Sequence, residues 1–170
     1  LGPAQVSFIA SAQLARLPFS QQWRTFEWWG FALFFGVMLL KFNWFFGTAN
    51  AYLSSLGDDG SMIGTMGVIL PICAVSVVGM GHISDTMGLV QAVTAIGVVS
   101  VVFSVLHAIP VLEVQVATFI AFGIFRAFLF SSLATYMTMT FGTRNSGKLL
   151  GLCSAVSAIF SLCWYGLFAV

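Results

Sequence analysis

The stretch VMLLKFNWFFGTAN, Val37 to Asn50, sets one lysine inside a long apolar and aromatic run, and no acidic residue lies within ten positions of Lys41. The run extends both ways, roughly from Trp28 to Leu56. That exceeds the about 20 helical residues needed to cross a hydrocarbon layer about 30 Å thick. Lys41 is therefore expected deep inside a transmembrane helix, and the rest of the chain has to be read with lipid as its solvent.

The composition agrees, with 59% hydrophobic, 15% aromatic and 6% charged residues and a mean hydropathy of +1.02. A soluble domain carries roughly a quarter charged residues. Six basic and five acidic side chains cannot clothe a soluble chain of 170 residues. The net charge of +1, with no Lys/Arg cluster, argues against a nucleic-acid partner. Cys73, Cys153 and Cys163 all sit in apolar runs and read as small packing residues, because disulfide or zinc frameworks need tight paired spacings. Neither a metal nor a cofactor is expected.

Four more apolar runs follow the first, roughly Met62 to Gly81, Gly88 to Ile109, Val114 to Thr140 and Leu149 to Val170. They are separated by Gly57-Asp58-Asp59-Gly60, by the stretch from His82 to Met87, by the turn at Pro110 and by Gly142 to Lys148, all with loop chemistry. The expected architecture is all-α and integral to the membrane, with five transmembrane helices whose short connections make successive helices antiparallel neighbours. Residues 1–27 are more polar, carry Arg16 and Arg24, and read as a cytoplasmic linker with a short interfacial helix around Leu17 to Phe26. There is no initiator Met and no signal-peptide layout, and the chain closes on the apolar YGLFAV. With an odd number of spans, this reads as a piece of a longer polytopic protein.

Orientation follows from the basic residues outside the spans. Under an alternating topology Arg16, Arg24, Arg144 and Lys148 share one side, while Asp58, Asp59 and Glu113 share the other. The linker, the His82 loop and the Gly142 to Lys148 loop are therefore expected in the cytoplasm.

Two basic residues, Lys41 and Arg126, lie near the middle of their spans. An ionised Lys or Arg at this depth costs roughly 2.5 to 3.5 kcal/mol even on lenient insertion scales. The five acids, Glu27, Asp58, Asp59, Asp85 and Glu113, all sit at span ends, so the compensating group is expected elsewhere. A carboxylate from outside this chain, backbone carbonyls or a substrate anion in a wet cavity would each serve.

Helical spacing puts Lys41, Phe45, Thr48 and Tyr52 on one face of the first span and Asn43, Gly47, Asn50 and Ser54 on another. The asparagines either line a cavity or bond to neighbouring helices. Gly123 and Ala127 flank Arg126 and leave room for a helix or a ligand to approach the guanidinium. In the fifth span Gly147, Gly151, Ser154, Ala158 and Ser161 form a small-residue seam expected to pack closely against a helix.

The loop GHISDTMG fits a G-x-x-x-D-x-x-G frame through Gly81, Asp85 and Gly88 and thereby resembles the major facilitator superfamily, although Thr86, Leu89 and Val90 stand where basic residues are usual. LLKFNWFFGTANAYL, with Asn50 nine positions after Lys41, the midspan Arg126, and GKLLGLCSAVSAIF lie in matching order. Together they resemble the carboxy-terminal half of the system-L-type amino-acid facilitators and of the apicomplexan amino-acid transporters. The resemblance covers the chain from about Trp28 and implies helices 7 to 11 of a twelve-helix fold, completed by a missing amino-terminal six-helix half. It implies alternating-access transport of an amino acid or similar small organic solute in a lipid bilayer, the plasma membrane or an organelle membrane, and no enzymatic activity. Substrate binding would fall to Arg126, Lys41, Asn50 and Asn43. Gating would fall to the loop of Gly81, Asp85 and Gly88, with Asp85 near the start of the fifth span and Arg144 at hand.

Two other classes stay open: a carrier-like sensor that has kept the fold without transport, and an intramembrane enzyme using His82 and Asp85 at H-x-x-D spacing. For the second, no further ligand cluster supports a metal site. His107, beside Pro110, reads as an exposed loop residue.

Overall fold

The computed structural model describes residues 12–168, with side chains described as far as Leu162. Every regular element among the described residues is helical. After helical residues 12–16, a single turn, α1 (Phe19–Gln22), precedes α2 (Phe26–Ser55), α3 (Ser61–Cys73), α4 (Ser76–Thr86), α5 (Leu89–His107), α6 (Leu112–Phe141) and α7 (Ser146–Phe168). Among the described residues four stretches are long and apolar enough to cross a membrane: Phe26–Ser55, Ser61–Thr86, Leu89–His107 and Leu112–Phe141. Ser146–Leu162 adds a shorter apolar helix. The chain is thus an all-α, multi-pass membrane protein. At 1.5 Å per residue the 30 residues of α2, and likewise of α6, reach about 45 Å, the depth of a bilayer with its headgroup layers.

The second span departs from the sequence expectation at both its middle and its end. Pro71 supplies no N–H to the carbonyl of Gly67, and the helix breaks at Ala74–Val75. The backbone crosses the break on shorter-range bonds, Ala74 N–H to Pro71 O at 3.1 Å and Val75 N–H to Ile72 O at 3.3 Å. The Ser76 hydroxyl donates to the freed carbonyl of Cys73 at 2.6 Å. With no water in the hydrocarbon layer, such local repair is what makes a midspan proline tolerable. Beyond the break, helix continues to Thr86, so the expected loop from His82 to Met87 shrinks to a turn at Met87 and Gly88. Gly88 adopts φ 91° and ψ 173°, a conformation open essentially only to glycine.

The helices fall into two compact units, Leu1–Asn43 with Leu133–Val170, and Trp44–Ser132. In the first unit Trp28, Phe31, Ala32 and Phe35 of α2, Met137 and Phe141 of α6, and Leu149, Cys153 and Ser157 of α7 are buried. Phe31 stacks on Tyr136 with centroids 3.9 Å apart, and the Tyr136 hydroxyl donates to the Glu27 carbonyl at 3.1 Å. Gly36 lies against Phe160, whose ring would sit 3.3 Å from an added Cβ.

Of the small-residue seam of the fifth span only Ser161 packs among the described residues, half-buried and bonded by Asn43. Gly147, Gly151, Ser154 and Ala158 are exposed, and Leu149, Cys153 and Ser157 form the buried stripe instead.

Before α2, residues 12–16 are helical and a further turn forms at Phe19–Gln22. Gln22 is fully buried and donates to the carbonyls of Leu14 at 2.9 Å and Phe141 at 3.2 Å. Its own carbonyl oxygen accepts from Asn145 Nδ2 at 3.0 Å. Ala15 packs against Gly142, which has φ 75° and would bring an added Cβ to 3.1 Å of Ala15 Cβ.

The core of the second unit holds Phe45, Ala49 and Leu53 of α2, Ala92, Ile96, Ser100 and Phe103 of α5, and Phe119, Phe122, Phe125 and Leu129 of α6. Phe45, Phe103 and Phe122 meet in edge and tilted contacts with centroids 4.4 to 5.4 Å apart. Such aromatic pairs gain specific geometry as well as buried area. The connection from α2 to α3 is shaped by Gly57 and Gly60, with φ of 91° and 99°. The Asp58 carboxylate accepts from the Met62 amide and the Ser61 hydroxyl, and Asp59 accepts from the Ser61 amide, all at 3.1 to 3.3 Å. Both acids thus satisfy orphan donors at a helix N-terminus, where the dipole also favours negative charge. The Ser61 amide holds the Asp59 carboxyl below the usual carboxylate range.

Candidate functional site

In the second unit, Arg126 sits near the middle of α6 and is exposed. Its helix neighbours are not: Phe119, Phe122, Phe125 and Leu129, within two turns on either side, are all at most 1% exposed. A charged residue is exposed where the same stretch of helix otherwise buries phenylalanines. Among the described residues no hydrogen bond or ion pair reaches its guanidinium.

One turn before Arg126, Gly123 meets α3 at its end. A Cβ at Gly123 would lie 2.6 Å from Cys73 Cβ and 2.8 Å from Cys73 Sγ, closer than real atoms approach. The space beside Gly123, expected for a helix or a ligand, is therefore taken by a helix, at the point where the second span breaks. One turn after Arg126, Phe130 remains 46% exposed.

Asn50 lies on α2 in the same unit and is exposed, and no hydrogen bond joins it to Arg126 among the described residues. Asp85 is exposed in the last turn of α4, where the helix dipole disfavours an anion, and His82 is exposed three residues earlier. No cluster of three metal-ligating side chains occurs among the described residues. Gly81 is half-buried with open space at its Cβ position, so close packing does not explain it, whereas Gly88 is required by its turn.

In the first unit, Lys41 is half-buried on α2. Asn43 donates its amide to the Ser161 hydroxyl at 3.1 Å, and Ser161 donates onward to the Ser157 carbonyl at 3.0 Å. Asn43 thus joins α2 to α7 in the manner of a packing amide. Arg144 is exposed in the turn between α6 and α7.

The residue most misread from sequence is His107. It is the last residue of α5, half-buried rather than looped out, and its ring lies 4.6 Å from Tyr52 and 5.1 Å from Phe45 between centroids. The Tyr52 hydroxyl donates to the His107 carbonyl at 3.0 Å, and the Gln115 amide donates to the Ile109 carbonyl at 2.9 Å. These bonds pin the turn at Pro110. The only sequence signal for this was Tyr52 on the face shared with Phe45.

The described helices and a midspan arginine define a multi-pass membrane protein with a polar feature at bilayer depth. In sequence it is similar to the equilibrative nucleobase transporter 1 of Bos taurus, with 40% identity over 81 residues. The matched stretch covers 48% of this chain and 17% of the bovine protein. No family model matches the chain. No solved structure matches it either.

Proposed function

We propose that this chain is part of a membrane carrier that moves a small organic solute by alternating access, with Arg126 at the substrate site. The observation that carries this reading is the exposure of Arg126 at midspan on a helix whose neighbouring side chains are buried. A guanidinium at that depth is sustained where it borders a wet cavity or an anionic group, and such positions mark solute paths. A broken helix at the same level is a further mark of a carrier site. The similarity to a nucleobase transporter supports the same class.

For the solute we favour a nucleobase. The planar fork of an arginine matches the adjacent carbonyl and ring-nitrogen acceptors on one edge of a 6-oxopurine. The second reading is an amino acid, favoured by the resemblance that runs through Lys41, Asn50 and the GKLLGLCSAVSAIF segment. An amino acid would present its carboxylate to the same fork. In either case the spans would be helices 7 to 11 of a twelve-helix major facilitator carrier in the plasma membrane, with an amino-terminal six-helix half forming the other wall.

Uptake of labelled hypoxanthine and labelled leucine into cells expressing the intact protein tests both readings. Losing one partner of a buried charged contact costs about 2 to 5 kcal/mol, or roughly thirty-fold to several thousand-fold in affinity. Arg126→Ala should show that loss for the true substrate at equal surface expression, and Arg126→Lys should recover only part. Saturable wild-type uptake of neither solute, or an Arg126→Ala variant with undiminished affinity, would overturn the assignment.

A further inference from the structure

We infer that the exposed cations Arg16, Arg24, Arg144 and Lys148 form one surface that binds the anionic headgroups of the adjoining lipid leaflet. The inference goes beyond the carrier reading and does not depend on which solute is moved.

Charge is divided unevenly between the two units. The first holds five of the chain's six basic residues and a single acid, Glu27, whereas the second holds Arg126 and the other four acids. Apart from Lys41, the basic residues of the first unit all lie where α2 begins and where α6 turns into α7. Gln22 brings these ends together, bonding the Phe141 carbonyl and the Asn145 amide, 119 and 123 positions on. Ala15, next to Arg16, meets Gly142, and Lys148 Nζ stands 6.0 Å from the centre of the Phe19 ring. Arg24 follows Gln22 by two residues and Arg144 precedes Asn145, so the buried clamp holds all four cations in one patch.

The four side chains are exposed, and among the described residues no carboxylate pairs with them. Glu27 sits in the first turn of α2, where the helix dipole already favours an anion. The rings between the cations fix the depth of the patch. Phe26 is 88% and Trp29 38% exposed, and Arg24 Cζ stands 5.2 Å from the centre of the Trp23 ring. Aromatic rings beside cations belong at the level of the headgroups. This is the face expected in the cytoplasm, whose leaflet carries the anionic lipids, and each basic residue near such a surface gains up to about five-fold in affinity.

The test is thermal unfolding of the intact protein in neutral detergent, titrated with dioctanoylphosphatidylserine, dioctanoylphosphatidylcholine or inorganic phosphate. The serine lipid should stabilise the wild type at about ten-fold lower concentration or less than the choline lipid, and the gap should close as salt is raised. Inorganic phosphate should not reproduce the effect. Changing all four cations to Gln should abolish the preference, whereas changing the three arginines to Lys should keep it, because net charge and not the guanidinium fork makes the surface. Should the fourfold variant not fold, the pairs Arg16→Gln with Arg24→Gln and Arg144→Gln with Lys148→Gln are read in its place, each expected to weaken the preference about five-fold or more. A wild type that treats the two lipids alike, a preference that survives salt or neutralisation, or an equal response to inorganic phosphate would overturn the surface.

Discussion

Gln22 donates a hydrogen bond to the carbonyl of Phe141, 119 residues away, from a side chain with no exposed surface. Phe141 ends α6, and the carbonyls in the last turn of a helix have no partner within it. A residue outside the transmembrane helices thus closes one of them. Replacing Gln22 by Ala would leave the Phe141 and Leu14 carbonyls and the Asn145 amide without it, at about 1 to 3 kcal/mol for each group left buried and unsatisfied. Gln22→Glu keeps the shape and loses both donors, so it should be no better than Ala. Thermal unfolding of purified protein in detergent checks this, and a melting temperature unchanged in both variants would refute the clamp.

The approach of Gly123 to Cys73 makes a sharper prediction. Gly123→Ala puts a methyl group 2.6 Å from Cys73 Cβ. Overpacking of this kind costs about 1 to 3 kcal/mol. Because Cys73 Cβ itself is in the way, Cys73→Ala should not relieve the strain, whereas Cys73→Gly should relieve most of it. A double-mutant cycle on stability reads the coupling, and additivity of Gly123→Ala with Cys73→Gly would contradict the contact.

At the start of α3 the prediction concerns pH. The Asp59 carboxyl is held below its ordinary range by the Ser61 amide, so its stabilising effect is complete above the unfolded value of about 3.9 and is lost as pH falls through the lower folded value. Local hydrogen exchange at Ser61, corrected for its intrinsic pH dependence, should therefore rise only below about pH 4. Asp59→Asn keeps an acceptor and removes the titration, so it should flatten the profile. Asp58→Ala removes the acceptor for the Met62 amide and should weaken this helix start by about 0.5 to 2 kcal/mol at neutral pH.

Orientation can be read directly. From the basic residues Arg144 and Lys148 we expect their turn in the cytoplasm, and from Asp58 and Asp59 theirs outside. With single cysteines in the intact protein in whole cells, an impermeant thiol reagent should label position 58 and spare position 146. The opposite pattern would reverse the topology.

The sequence by itself determined that this chain is all-α and lives in a bilayer, because apolar runs of span length with so few charges have no other stable solvent. It also singled out Lys41 and Arg126, since a charge at midspan is costly wherever the helix packs. What it did not contain was which face of each helix is buried. In α5 and α7 apolar residues occur on every face, so hydropathy does not pick the buried one, and between helices in lipid it is shape and small polar bonds that choose the contact. Only the tertiary structure could therefore put Cys73 into the notch of Gly123, join Asn43 to Ser161, turn His107 inward against Tyr52, and pass over the Gly147 to Ala158 seam in favour of Leu149, Cys153 and Ser157. The break at Ala74–Val75 lies between the two cases: Pro71 announces it, but the repair by Ser76 depends on where the freed carbonyls point once the helix is packed.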